Sequence, residues 1–261
     1  MDALRRYVQN ALIIYRAQVA WVGVHVFVAV RVVAPVFQLV LFTLLGLSVG
    51  GTRALEFFLA GNAAVLTGFG GLAVASTLTQ EGVQDTLPYL LGAPGSRLRR
   101  LAHRLPVPIL DGLVGSALPL AIVAPLFGVD LSHADLPALA SSLLAGACAG
   151  SCLGFLIGLL ALVRFDLYVV WNSIYVGLLV VTGASVPLAA LPGWGQAISG
   201  LVPMTHSILA ARAALAGSPL AGVWGPLAWE LAVCVGYVAL GWLLLGREEA
   251  VLRSRGRLGL V

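Results

Sequence analysis

Few residues of this chain are of types that could do covalent or metal chemistry, and none forms a complete set. Ser185, in the run Gly183-Ala184-Ser185-Val186, has His206 downstream, a nucleophile and a base that would suit an intramembrane hydrolase. A serine in a helix more commonly bonds its own backbone. His133 and Asp135 share a short loop and could touch a metal, yet two ligands do not close a site. Cys148, Cys152 and Cys234 have neither Cys-x-x-Cys spacing nor a companion histidine, so they read as small packing residues. His25 and His103 read as interfacial side chains. The chain has fifteen basic residues, all arginine. Without lysine it carries no P-loop, because that loop's lysine must reach the nucleotide phosphates. No catalytic residue, metal or cofactor is assigned to it.

Charge is the more telling chemistry. Only 10% of residues are charged against 60% hydrophobic, and an ionised group deep in a membrane costs a few kcal/mol unless it is paired or wetted. Arg31 and Asp111 fall at similar depth near one edge of two apolar runs, where they either pair or snorkel separately to water. Arg212 and Glu230 could pair towards the opposite edge by the same logic. Tyr168, Trp171, Asn172, Tyr175, Thr182 and Ser185 recur largely at helical spacing. Two readings of that face are open: the lining of a substrate path or subunit seam, or an aromatic belt with ordinary helix packing.

The elements that must position these residues are membrane spans. The composition lies far outside soluble usage, and the apolar runs divide into six lengths of about 20 residues, enough to cross a hydrocarbon core as helix. They fall at 28–49, 56–79, 105–127, 136–162, 167–187 and 226–246. The segment 187–225 is apolar but broken by Pro192, Gly193, Gly195, Pro203 and Pro219. Gly146, Gly150, Gly154 and Gly158 recur every four residues and make a bare stripe for close helix approach; Gly61, Gly68, Gly70 and Gly71 loosen the second span similarly. Pro35 is expected to kink the first.

Arginine position sets orientation, since loops rich in arginine stay cytoplasmic. Twelve of the fifteen lie on one side: Arg5, Arg6, Arg16, Arg97, Arg99, Arg100, Arg104, Arg164, Arg247, Arg253, Arg255 and Arg257. Arg53 and Arg212 lie on the other, with Arg31 near an edge. Both termini are therefore expected in the cytoplasm, in a multi-pass protein of a cell membrane. This topology also explains the pI of about 9.3 without nucleic acid. Leu4, Val8, Ala11, Leu12 and Tyr15 form an apolar stripe that predicts an interfacial amphipathic helix over 1–24. A secretory signal is disfavoured because Arg31 interrupts the long apolar stretch that follows.

Two segments carry a family resemblance. Glu81 to Arg100 reads EGVQDTLPYLLGAPGSRLRR, and Leu201 to Gly217 reads LVPMTHSILAARAALAG. With the six spans, they resemble ABC-2 type transporter permeases along nearly the whole chain. The Gly183–Val186 run also resembles the nucleophile motif of intramembrane serine proteases, which would carry glycine where Val186 stands.

The ABC-2 resemblance implies an all-α membrane protein, the ABC-2 or type V exporter fold: six transmembrane helices, an N-terminal interfacial helix and a re-entrant helical hairpin between helices five and six. The chain would be a single domain with a connecting helix at 1–24, a cytoplasmic coupling loop at 80–104, an extracytoplasmic re-entrant region at 187–225 and a cytoplasmic tail at 247–261. Glu81, Thr86, Leu90, Leu91 and Pro94 match the family's coupling loop, with Asp85 where a glycine would precede the threonine. Leu87, Leu90 and Leu91 would anchor the loop on an ATPase, and Arg97, Arg99 and Arg100 would hold the next segment to the membrane surface. Pro203, Thr205, His206 and Arg212 match the late motif. The implied partners are two ABC ATPase subunits, which bring ATP and Mg, a second permease copy or a homologous permease, and the lipid bilayer. The implied function is export of a hydrophobic or amphipathic drug or antibiotic, as in daunorubicin-type multidrug resistance permeases. The alternative is export of a lipid-linked polysaccharide or other lipid.

Overall fold

Hydrocarbon offers backbone groups no partners, so each crossing must satisfy its own hydrogen bonds. The computed structural model describes residues 23–83, 105–164 and 167–254, and these form helices and no strand. In order they are α1 (Val24–Val28), a π-helical turn (Ala29–Val33), α2 (Ala34–Leu72), α3 (Val74–Val83), α4 (Pro106–Leu126), α5 (Leu136–Arg164), α6 (Leu167–Val181), a 3-10 turn (Leu188–Ala190), α7 (Gly193–Ser199), α8 (Thr205–Leu215) and α9 (Leu220–Ser254). Four stretches among the described residues are long and apolar enough to cross a membrane: Ala29–Thr79, Pro106–Leu126, Leu136–Leu160 and Leu220–Leu244.

The first stretch has 51 residues and would measure about 75 Å if straight. It is not straight. Gly50 (φ −149°, ψ 20°) and Gly51 (φ 66°, ψ −150°) leave helical geometry, and Gly51 occupies a region open in practice only to glycine. Beyond them the chain doubles back. A Cβ on Gly46 would stand 2.8 Å from the Ala54 carbonyl oxygen and 3.0 Å from Phe58 Cβ, whereas a straight helix holds such positions about 12 and 18 Å away. The two arms of this hairpin occupy the runs expected at 28–49 and 56–79.

Three boundaries differ from the sequence reading. The helix expected over 167–187 stops at Val181, where Gly183 adopts φ 78°; its 15 residues reach about 22 Å, less than a hydrocarbon core. The last helix, expected at 226–246, begins at Leu220 and runs to Ser254, into the expected tail. The interrupted region is correspondingly 182–219 rather than 187–225. Pro35 sits in the first turn of α2 rather than in the middle of a helix, directly after the π-helical turn in which the Ala34 amide reaches back to the Ala29 carbonyl. Proline has no N–H for the carbonyl four residues earlier and its ring crowds that oxygen. The wide turn relieves the conflict at Arg31.

Glycine sets how closely the helices cross. The second arm of α2 packs most extensively on α4 and α5. Gly70 and Gly112 meet backbone to backbone; Gly150 lies on Gly68, and Gly154 on Leu72. Gly158 continues the stripe against Ala75 and Leu78 of α3. No side chain fits at these crossings, so dispersion between backbones replaces the hydrophobic force that lipid cannot supply. Ser116 Oγ adds an interhelical bond to the Ala63 carbonyl, 2.6 Å. Leu39, Leu59, Leu72, Val123, Ile208 and Val223 fill the core, while Phe37, Leu41, Leu126, Val235 and Leu243 stand exposed on the outside. A bundle apolar on both inner and outer faces is what a bilayer, not water, tolerates.

Candidate functional site

Polar groups collect at two places inside this bundle. At the first, Arg31 of the π-helical turn donates from Nη2 to Asp111 Oδ2 of α4 at 2.8 Å. The local sequence arranges this meeting: the turn before Pro35 swings Arg31 towards α4, its own carbonyl facing Gly115, and the Gly70–Gly112 contact brings Asp111 up against α2. The pairing considered from sequence depth is thus present. Side-chain exposure is 27% for Arg31 and 5% for Asp111, so the guanidinium, not the carboxylate, meets the outside. A pocket of about 350 Å³ opens beside the pair, with Gln38, Leu66, Phe69 and Tyr175 in its wall. The Phe69 and Tyr175 rings pack at 4.2 Å. The buried Nε2 of Gln38 has no hydrogen-bond partner among the described residues.

The second cluster holds the interrupted region together. Arg212 of α8 points Nη2 at the carbonyls of Gly183 (2.8 Å), Ala184 (3.0 Å) and Phe57 (3.2 Å), and its guanidinium lies 3.5 Å over the Phe57 ring. The carbonyls freed where α6 ends are thereby given a cationic donor. Gly61 makes the space, since a Cβ there would strike both the Ala184 carbonyl and the guanidinium. Glu230 of α9, fully buried, accepts from the amides of Met204 (2.6 Å) and Ser207 (2.8 Å). It caps the N-terminus of α8, where the helix dipole favours an anion. Met204 there adopts a left-handed conformation, φ 79°, uncommon for a side-chain-bearing residue; the bond to Glu230 helps fix it. His206 Nε2 donates to the Gly200 carbonyl at 3.1 Å, and its ring meets Trp229 edge-on. Ser199 Oγ donates to the Val181 carbonyl at 2.6 Å.

The considered Arg212–Glu230 ion pair is therefore not formed. Each charge is taken by backbone of opposite polarity, because broken helices expose carbonyls at one end and amides at the next. Of the late motif, Pro203 and Thr205 are buried at the start of α8, and Thr205 Oγ1 and Arg212 Nε have no partner among the described residues. Of the expected substrate path, Tyr175 lines the pocket. Thr182 does not: it is buried and bonds back to the Leu178 carbonyl at 2.5 Å. The side chains of Tyr168, Trp171 and Asn172 lie outside the described residues. So do the side chain of Glu81, whose backbone lies in the last turn of α3, and all of Asp85, Thr86, Leu87, Leu90, Leu91, Pro94 and Arg97, as well as nearly all of the interfacial helix expected over 1–24.

The hydrolase constellation does not assemble. Ser185 Oγ lies 3.4–3.5 Å from the Asn62 amide, while His206 is engaged with Gly200. Asp135 caps α5 through the Ala138 amide, 2.8 Å, and no metal-binding group occurs among the described residues. Asn62 is a polar residue that the sequence reading does not single out. The available signal was a lone amide inside a long apolar run, which must find a partner.

Interrupted apolar helices, glycine-lined crossings and polar groups turned inward define a multi-pass α-helical membrane protein. The family model for ABC-2 type transporters matches residues 8–216 of the chain, and the chain belongs to that family: it is the permease subunit of an ABC exporter. No curated protein and no solved structure matches it significantly.

Proposed function

We propose that this permease exports a hydrophobic or amphipathic compound, a drug or antibiotic in the first instance, in a complex with two ATPase subunits and a second permease copy or relative. ATP and Mg would reside on the ATPases. The observation that carries the substrate class is the composition of the pocket. Its ion pair is internally neutralised, and the rest of its wall is largely apolar and aromatic, Leu66, Phe69 and Tyr175 among it. Such a site offers little to a small hydrophilic ion and much to a ligand with an apolar body and a few polar atoms. The arginine distribution supports a six-span topology with both termini in the cytoplasm, and the α2 hairpin would supply two of those spans. Residues Glu81 to Arg97 would form the handle through which nucleotide-driven closure reaches the bundle. Moving the bundle from mostly one packing to mostly another requires nucleotide to favour one state by about 5.5 kcal/mol.

The test is co-expression with candidate ATPases, purification of the complex and measurement of ATP turnover against a panel of compounds. Stimulation by hydrophobic drugs supports the reading. Stimulation only by lipid-linked sugars transfers the assignment to the polysaccharide alternative, and failure of any ATPase to co-purify in several mild detergents removes the coupling role.

A further inference from the structure

We infer that the pocket beside Arg31 recognises its ligand through acceptor oxygens, a carboxylate, phosphate or carbonyl head on an amphiphile, and discriminates against cationic amphiphiles. This rests on the exporter reading for its purpose but not for its chemistry.

Arg31 has five N–H donors, of which Nη2 meets Asp111; no other protein partner of its guanidinium is found among the described residues. Gln38, in the same wall, keeps a buried amide nitrogen with no acceptor. The one anionic group, Asp111, is both bonded to Arg31 and almost fully covered, 5% exposed. The pocket therefore has donors to spare and no free carboxylate. A ligand that brings an oxygen to Arg31 meets the guanidinium's spare donors, and a turn of the Gln38 side chain into the pocket would give its buried amide nitrogen an acceptor as well. An ammonium would bring more donors and a like charge. The apolar body of the ligand would lie against Leu66 and the Phe69–Tyr175 pair, which supply area without polarity.

The experiment uses the full-length permease in nanodiscs of zwitterionic lipid, with no ATPase or nucleotide. Binding is followed by fluorescence of dansyl-undecanoate and of the matching dansyl-undecylamine. The carboxylate is expected to bind the tighter by about tenfold, the worth of one charge-assisted bond. Arg31→Gln should erase that preference, Arg31→Lys should keep part of it, and Asp111→Asn should strengthen carboxylate binding by freeing the guanidinium. The neutral pair Arg31→Gln with Asp111→Asn preserves side-chain volume; a monodisperse double variant that has lost the preference separates recognition from folding. Tighter amine binding, or a carboxylate preference untouched by Arg31→Gln, overturns the inference. An added arm with phosphatidylglycerol in the disc identifies the source of the oxygens. Competition points to the membrane's own anionic lipid, and lack of competition to a separate cargo. Because no ATPase is present, the exporter reading can fail in its own test while this one stands, and the converse.

Discussion

Around Arg212 and Glu230, the guanidinium Nη2 and the carboxylate meet backbone that the fold has left short of a partner, carbonyls where α6 breaks off and amides where α8 begins. Arg212 Nε and Thr205 Oγ1 stay without a partner among the described residues. Around Arg31 and Asp111, two side chains neutralise each other but leave donors unmatched and a pocket open beside them. The first arrangement spends its charges on backbone, and the second opens on a pocket. Charges of the first kind hold irregular backbone at membrane depth, which is tolerated only when protein satisfies it. Charges of the second kind are free to serve a ligand. The same residue type, arginine in an apolar setting, thus has two uses that burial and partners tell apart.

Substitution of Glu230 should cost the bundle as much as any single change. Glu230→Leu leaves the Met204 and Ser207 amides without acceptors and the left-handed Met204 without its tie. A loss of about 3 kcal/mol is expected from those two bonds to a charged acceptor, seen as a large fall in melting temperature by fluorescence size-exclusion chromatography, or as failure to accumulate. Glu230→Gln should recover part of it, since one amide oxygen still accepts. A Leu variant as heat-resistant as the parent would mean that α8 is held by packing alone.

Arg212 comes next. Arg212→Met keeps much of the volume but abandons three carbonyls, an expected loss of about 2 kcal/mol. Arg212→Lys should restore little, because a single ammonium on a flexible stem cannot serve carbonyls of Phe57, Gly183 and Ala184 together or lie flat on the Phe57 ring. Equal rescue by lysine would reduce the residue's role to charge.

These residues also show how far the sequence could be read. Apolar length and arginine placement gave the runs that became the α2 hairpin, α4, α5 and α9, because helices in lipid need only hydrophobic length. The glycine stripe of α5 was legible as a close-contact face for the same local reason. Helix ends were not. Val181 ends α6 because Gly183 turns and Arg212, 29 positions later, captures the released carbonyls, a long-range event invisible to any window. Arg212 and Glu230 looked like partners because opposite charges at one depth suggest a pair; only the path of the broken backbone shows that each has a nearer claim. The Arg31–Asp111 pair could be weighed from depth alone, since the π-helical turn at Arg31 changes its direction more than its height in the run. The unmatched Gln38 could not, because satisfaction is a property of neighbours.

A charge exchange tests the open cluster. Arg31→Asp and Asp111→Arg singly should each abolish most transport and cost about 3 kcal/mol of stability, because each sets like charges together beside a position that is almost fully covered. The double exchange should recover folding fully and transport in part, since the guanidinium would now stand on α4, less exposed than before. Recovery of neither would show that the two side chains act separately and that their contact is incidental.

The smallest expected effect separates the clusters most sharply. Gln38→Leu removes a buried donor that has no acceptor, so stability should stay level or rise by up to about 1 kcal/mol, the opposite sign to Arg212→Met. Carboxylate binding should weaken by a few-fold at the same time, because one of the two donors offered to the ligand is gone. A polar group whose removal steadies the protein while weakening its grip is retained for the ligand rather than for the fold. Were Gln38→Leu to destabilise as Arg212→Met does, Gln38 would have a structural acceptor after all, and the pocket would belong with the cluster around Arg212.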